Sequence, residues 1–454
     1  MSQAGDKFSQ YKITIFVCIA AMGVGTAIGW TSNITVALKL GYLNDIDMTD
    51  DEISWTGSTM NLGAVFSCLP VGFLVDKIGR KPTLLWSVIP FLLGWLIILL
   101  GTNMTIIYIG RFLIGLSCGS YSVAVPLYIS EIAHSSIRGA LGTFFQLFIT
   151  IGIFYCGVFG YGMPFIPYVT TCFCIPVIVG IILYFQPESP VYDLKTDRLE
   201  RADETFLILR GENFDFDDEI DEILKEFDDN IDISFWSKIS TKSMRKSMII
   251  CLMLMFYQQL SGYCPVMFYS QEIFKHSGST IDDSYCVIIL QSIQVLATFV
   301  STVTIDRFGR KVLLVLSGVF MTISMGFIGL YYSLKDRRIL DEDSIKFLGF
   351  MPAVSLNVFI IAHSTAFGPI PWIAASEFFS PTIKPRCIAL IASFYWFLAL
   401  VVTKFYFYFN EDLGADVTSY ISCLISFTSI FFVYFGVPET RGKTYNEIQD
   451  LLFT

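Results

Sequence analysis

Few residues in this chain are equipped for chemistry, and where they fall matters more than how many there are. The sequence holds 3 histidines. It has no His-Glu-x-x-His helix, nucleophile elbow or Cys-x-x-Cys pair, and so no constellation for hydrolysis, metal or redox catalysis. Gly442-Lys443-Thr444 imitates the end of a phosphate loop, but Val437 stands where its first glycine belongs. Amides and charges remain. Gln146, Gln258, Gln259 and Gln294 sit inside apolar runs. An unpartnered amide there is costly, so each either meets a ligand that can both donate and accept hydrogen bonds or ties one helix to another. Arg111 also lies in an apolar run, where a charge costs roughly 2.5–3.5 kcal/mol and needs a partner. His363 reads first as a satisfied core histidine, and Lys404 as a side chain snorkelling to the outer interface.

The remaining charges repeat. DKIGRK at 76–81 returns as DRFGRK at 306–311, the Glu131-to-Arg138 loop returns as Glu377 to Arg386, and PES at 187–189 returns as PET at 438–440. Three matches in one order imply two six-helix halves. In transporters such a repeat places a substrate at mid-membrane between halves that rock to alternate access. Asp76, Arg80, Glu131, Arg138 and Glu188, with Asp306, Arg310, Glu377, Arg386 and Glu439, are then expected to pair across the halves at helix ends and hold one side shut. Such pairs must break in each cycle and should be modest in strength. A single DxxGR copy could also be only a tight, positively charged loop that enforces topology.

The elements that must position these residues follow from composition. The chain has 454 residues, 54% of them hydrophobic and 15% charged, with a mean hydropathy of +0.61. Soluble proteins carry about 25% charge, so the reading is an all-α membrane protein. Apolar runs occur near 13–38, 54–75, 83–101, 105–128, 141–161, 165–185, 247–270, 284–305, 312–333, 347–376, 388–409 and 417–437. Each must be helical, because hydrocarbon satisfies no backbone group. Twelve spans put both termini on one side. That side is cytosolic by Lys/Arg bias, with 13 such residues in its short loops and tails against 6 opposite. The expected division is 1–186 as the first half, 187–246 as a charged cytoplasmic linker, 247–437 as the second half and 438–454 as a cytoplasmic tail. Residues 186–247 hold 17 acidic and 9 basic side chains, most of the net charge of −10. Within them 197–210 and 217–228 show helical apolar spacing, which predicts short amphipathic helices on the membrane face; a disordered linker is the alternative. The 11 cysteines fall mostly in apolar runs without paired spacing and read as small hydrophobes. A pI near 4.9 argues against a nucleic-acid partner.

The motifs together resemble the sugar porter family of the major facilitator superfamily over essentially the whole chain. The resemblance rests on DKIGRK, GRFLIG (110–115), PLYISEIAHSSIRGALGTFFQL (126–147), PESP (187–190), QQLSG (258–262), DRFGRK, GPIPW (368–372) and PETRGK (438–443). GWTS at 29–32 and Thr403-Lys404 look most like the insect facilitated trehalose transporters. The resemblance implies that Gln146, Gln258 and Gln259 bind sugar, with Trp372 and Trp396 contacting it. An amide suits a hydroxyl as both donor and acceptor, and an indole face covers the apolar side of a pyranose. Three polar positions depart from the family: Cys264, Gln294 and Tyr395 stand where it carries asparagine, and Ala366 replaces a glycine of close relatives. These changes leave the sugar open. Proton-coupled sugar porters carry an aspartate in the first helix, where this chain has Gly29-Trp30-Thr31-Ser32. Facilitated diffusion of a hexose or trehalose by a plasma-membrane monomer is the expectation, with the bilayer and the sugar as its partners and no cofactor. A proton symporter, a non-transporting sensor and a carrier of another polar solute are the rivals. The sequons at Asn33 and Asn103 lie too near the membrane for glycosylation.

Overall fold

The computed structural model describes residues 7–39, 49–211, 216–228, 235–268, 274, 283–337, 348–443 and 445–453. The long helices follow the apolar runs and extend past them at the charged ends. In the first half they are α1 Lys7–Lys39, α2 Asp50–Ile78, α3 Arg80–Leu99, α4 Met104–Ile132, α5 Arg138–Gly160 and α6 Phe165–Tyr184. The second half holds α7 Lys242–Leu260, α8 Asp283–Phe308, α9 Arg310–Asp336, α10 Leu348–Glu377, α11 Lys384–Leu413 and α12 Ala415–Gly436. Eleven of these are long and apolar enough to cross a bilayer. The twelfth, α7, opens on Lys242, Arg245 and Lys246 and stops after 19 residues.

That stop corrects the expectation of an unbroken span over 247–270. Gly262 adopts φ +103°, and helix resumes over 263–268. A second break falls in α10 at Ala366–Pro369, where Pro369 and Pro371 remove backbone donors. Interrupted helices free carbonyls for side chains to use.

The molecule is apolar outside and polar within. Phe66, Trp86, Phe185, Leu424 and Phe435 are exposed, whereas Arg111, Gln258 and Gln294 are fully buried. A continuous exposed apolar surface calls for lipid. The halves meet where α2 packs on α11, α5 on α8, and α4 on α10 and α11. The charged motifs gather at one end of the bundle, here termed the motif end.

The insert forms helices at Pro190–Lys195, Leu199–Arg210, Asp217–Asp228 and Phe235–Ile239. Leu194, Ala202 and Phe206 make a small core with Ile220, Ile223, Leu224 and Phe227. Arg210 pins this core to the first half: it donates to the Ile132 carbonyl at 3.0 Å and holds Glu219 at 2.7 Å. Gln10 of α1 donates to the Leu209 carbonyl and accepts from the His134 N–H. The described residues of the insert are thus anchored to the first half. The Asn103 side chain caps α4 by accepting from the Ile106 N–H; the Asn33 side chain lies outside the described residues.

Candidate functional site

The two helix breaks bring the amides together. Gln258, just before the α7 break, donates Nε2 to the Gly368 carbonyl at 3.1 Å. That carbonyl lies in the α10 break, one residue ahead of Pro369, which caps the restarted helix. Gln146, from α5 of the other half, packs on the same glycine: a Cβ at Gly368 would stand 3.3 Å from its Cγ. Residues 112 positions apart thus converge on one buried glycine. Gln259 points aside and donates to the Tyr395 carbonyl at 3.4 Å. Both α7 glutamines face the bundle interior and not the lipid, being 0% and 2% exposed.

Beyond the break, Tyr263 accepts from Gln294 Nε2 at 3.3 Å. Its ring lies flat on His363, centroids 3.9 Å apart and planes within 5°, and Phe359 continues the stack at 6.2 Å. His363 is thereby a packed core residue. Trp372 stands edge-on to Phe145 at 5.1 Å and to Tyr395 at 5.0 Å, so its indole bridges the halves. Cys264 is buried beside Tyr263. Gln258 Oε1, Gln294 Oε1 and Trp372 Nε1 lack a hydrogen-bond partner here, and so do both ring nitrogens of His363, which is packed but not the satisfied histidine expected. Two acceptors and a donor, buried and unpaired around one centre, match the outline of a hydroxyl-bearing ligand. A pocket lined by Ser130, Arg138, Trp372 and Ser376 lies on the motif side of that indole.

Trp396 differs from Trp372. It packs on Tyr395 at 5.3 Å, but its Nε1 donates to Ser122 Oγ of the first half at 3.1 Å. In this arrangement its polar edge fastens the halves and is not free for a sugar.

Arg111 has partners, and among the described residues none is a carboxylate. Its guanidinium donates to the carbonyls of Thr56 (3.1 Å) and Ala27 (2.8 Å) and to Thr31 Oγ1 (2.6 Å), and lies 5.1 Å from the Trp30 ring. The stretch lacking a carboxylate in the sequence is the stretch that cradles this cation.

The repeated charges pair differently from the expectation. Arg80 makes two bonds to Glu131, at 2.6 and 2.8 Å, within the first half, and Arg310 reaches Glu377 at 3.2 Å within the second. Glu188 accepts from the backbone N–H of Arg80 and Lys81, and Glu439 from those of Arg310 and Lys311. Gly79 and Gly309, at φ +104° and +87°, aim those N–H groups at the carboxylates. These residues mainly build each half; the two aspartates and Arg386 make the contacts across the seam, where Arg310 also packs on Gly139. Asp76 lies 3.7 Å from Arg386 Nε, and Asp306 accepts from the Ala140 N–H at 2.9 Å at the start of α5. Arg138 has no carboxylate partner among the described residues.

Lys404 corrects another expectation. Instead of snorkelling, it crosses the seam at the end opposite the motifs, pairing with Asp51 and contacting Ser54 Oγ at 3.1 Å, with the Trp55 ring 4.4 Å away. Nearby, Asn61 donates to Thr403 at 2.9 Å. The seam is therefore bridged at both ends, with the polar centre sealed between. Sequence reading missed Tyr263, Ser122, Asn61 and the Gly368 carbonyl as members of these contacts. Only the Gly-Pro-x-Pro pattern signals any of them, since its prolines interrupt the helix around Gly368.

A family model described as "Sugar (and other) transporter" matches residues 24–452. The facilitated trehalose transporter Tret1 of Culex quinquefasciatus is 32% identical over 97% of this chain and 85% of that protein. Tret1 of Apis mellifera ligustica is also 32% identical, with 97% and 87% covered; for the Anopheles gambiae protein the chain spans 56% of the relative's length. Among solved structures, the proton:xylose symporter XylE bound to 6-bromo-6-deoxy-D-glucose aligns with TM-score 0.84 at 21% identity, over 98% of this chain and 99% of that one. The inward open xylose transporter XylE from E. coli aligns with TM-score 0.75 at 19% identity, over 97% and 99%. The fold is that of the major facilitator superfamily, and the chain, a multi-pass membrane protein, belongs to the sugar transporter family.

Proposed function

We propose that the protein carries a sugar, trehalose or a hexose, down its gradient by alternating access. It would work as a monomer in the plasma membrane with both termini cytosolic, the orientation the Lys/Arg bias favours. The observation that carries this reading is the meeting of Gln146 and Gln258, one from each half, at Gly368, with Gln258 Oε1 and Trp372 Nε1 left unpaired beside it. A sugar hydroxyl can donate to the first and accept from the second. Its binding between the halves couples occupancy to their rocking. Names of the relatives point to trehalose.

Facilitated diffusion is supported by Arg111. Proton coupling needs a carboxylate or similar group that titrates and changes partner, and among the described residues this cation hydrogen-bonds to carbonyls, a hydroxyl and a thioether, with an indole beside it. Asp76 and Asp306 serve as the gate on the cytosolic side, and Lys404 with Asp51 as its counterpart outside. Purified protein in liposomes tests the reading. Labelled trehalose or glucose should enter saturably and equally with and without a pH gradient. Gln258→Leu should abolish saturable uptake while the protein still inserts. Unchanged uptake kinetics in that variant would refute the site.

A further inference from the structure

We propose that Gln291 extends the sugar site toward the end opposite the motifs and receives the second ring of a disaccharide. This inference rests on the sugar-carrier reading above and deepens it. Gln291 lies on α8, three residues before Gln294, so the two side chains share a face about 4.5 Å apart along the axis. It is 1% exposed, and its side-chain oxygen has no hydrogen-bond partner. The amide fits a notch in α5 of the other half: a Cβ at Gly157 would fall 1.9 Å from Gln291 Oε1. Gly157 is eleven residues beyond Gln146, three turns on the same face and ~16 Å along the helix.

Gln146 and Gly157 therefore mark the two levels of one wall. On the second half, Trp372 Nε1, Gln258 Oε1, Gln294 Oε1 and Gln291 Oε1 are buried polar atoms without hydrogen-bond partners. One pyranose engages the groups at the Gln146 level; a second linked ring reaches Gln291 at the Gly157 level. Gln291 faces α5 from α8, so a ligand held there also touches both halves. It would favour the closed seam in the way that the lower contacts do. An amide retained only to glue α8 to α5 would find a partner on α5, and its oxygen finds none.

The test is the ratio of trehalose to glucose initial uptake at subsaturating concentration, measured in liposomes with the full chain. Gln291→Leu should lower that ratio about tenfold. Gly157→Ala, which forces the amide aside, should lower it in the same direction. Should the leucine variant not insert, Gln291→Asn, shorter by one methylene with its amide kept, carries the same comparison. A ratio unchanged from wild type in these variants overturns the subsite. So does a wild-type protein that carries glucose and excludes trehalose, an outcome that leaves the carrier reading standing. A folded wild-type protein that moves neither sugar sinks the carrier reading itself.

Discussion

The two copies of the charged cluster are alike in one part and unlike in another. Glu188 and Glu439 do the same work in both halves, each capping a pair of backbone N–H groups beside a left-handed glycine at distances near 3 Å. The arginine pairs diverge. Arg80 is held by both oxygens of Glu131 and by the Val75 carbonyl, and Ser189 also donates to Glu131. Arg310 has one bond to Glu377 at 3.2 Å, and its Nε and Nη1, with Glu377 Oε2, lack hydrogen-bond partners. Thr440, which repeats Ser189, makes no matching bond to Glu377 among the described residues. Duplication preserved the backbone device, which depends only on a glycine and a carboxylate. The side-chain device was not kept equal, because one helper hydroxyl decides how well the pair is bonded. The first cluster is a fixed part of its half, and the second is the one poised to yield.

The largest effect should come from breaking that contrast. Glu131→Gln leaves Arg80 buried beside a neutral amide, and losing one partner of a buried pair costs about 3–5 kcal/mol. Glu377→Gln leaves Arg310 still 3.4 Å from Asp306, and its cost should be nearer ~1 kcal/mol. Thermal melts of the purified variants compare the two directly. Equal losses would mean that the tighter geometry of the first pair has no energetic consequence.

How much of this could be read from the chain depends on what a contact needs. Span positions were legible because hydrocarbon forces each apolar run into a helix, and the observed helices overshoot the runs only at their charged ends. Glutamines were legible as interior residues for the same reason. Partners were not. Arg80 and Glu131 were read as a gate between the halves, although they lie 51 residues apart within one half and pair there. Lys404 carries a long stem that suits snorkelling, and nothing local reveals that Asp51 waits on α2. The Tyr263–His363 stack joins residues 100 positions apart across two helix breaks. Each break is written as Ser-Gly or Gly-Pro-Ile-Pro, but the angle it imposes is not.

The aspartates sharpen the comparison at the seam. Asp76 holds Arg386 and Lys195 by charge, at 3.7 and 2.9 Å, whereas Asp306 accepts a backbone N–H at the first turn of α5. Asparagine can still accept that bond, losing its attraction to the helix terminus, about 0.3–1 kcal/mol, and a partly exposed contact with Arg310 inside its own half. At position 76 it loses two partly exposed ion pairs, worth about 0.2–1 kcal/mol each. A cysteine placed at Ala389, which packs on Gly72 across the seam, reports opening of the motif end. Its alkylation by a soluble maleimide should quicken several-fold with Asp76→Asn and less than twofold with Asp306→Asn. High salt should narrow that gap by screening the Asp76 pairs. A larger effect at Asp306 would mean that the helix terminus, and not the arginine, latches the seam.

The smallest effect concerns the cap that the halves share. Burial raises the Glu188 carboxyl above its ordinary 4.5, outweighing the N–H groups of Ser189, Lys81 and Arg80 that favour its ionised form. A carboxyl that protonates more readily folded than unfolded adds stability in full below the unfolded value, and loses it as pH rises through the folded value. Wild-type stability should therefore carry a component that declines from mildly acidic pH toward neutrality, and Glu188→Gln, neutral throughout, should lack it. The difference in melting temperature, wild type minus variant, should shrink as pH climbs from 4.5 to 7.5. A difference that widens over that range would mean that the N–H groups dominate and that the cap works best as an anion, its geometry having been bought at no cost in desolvation.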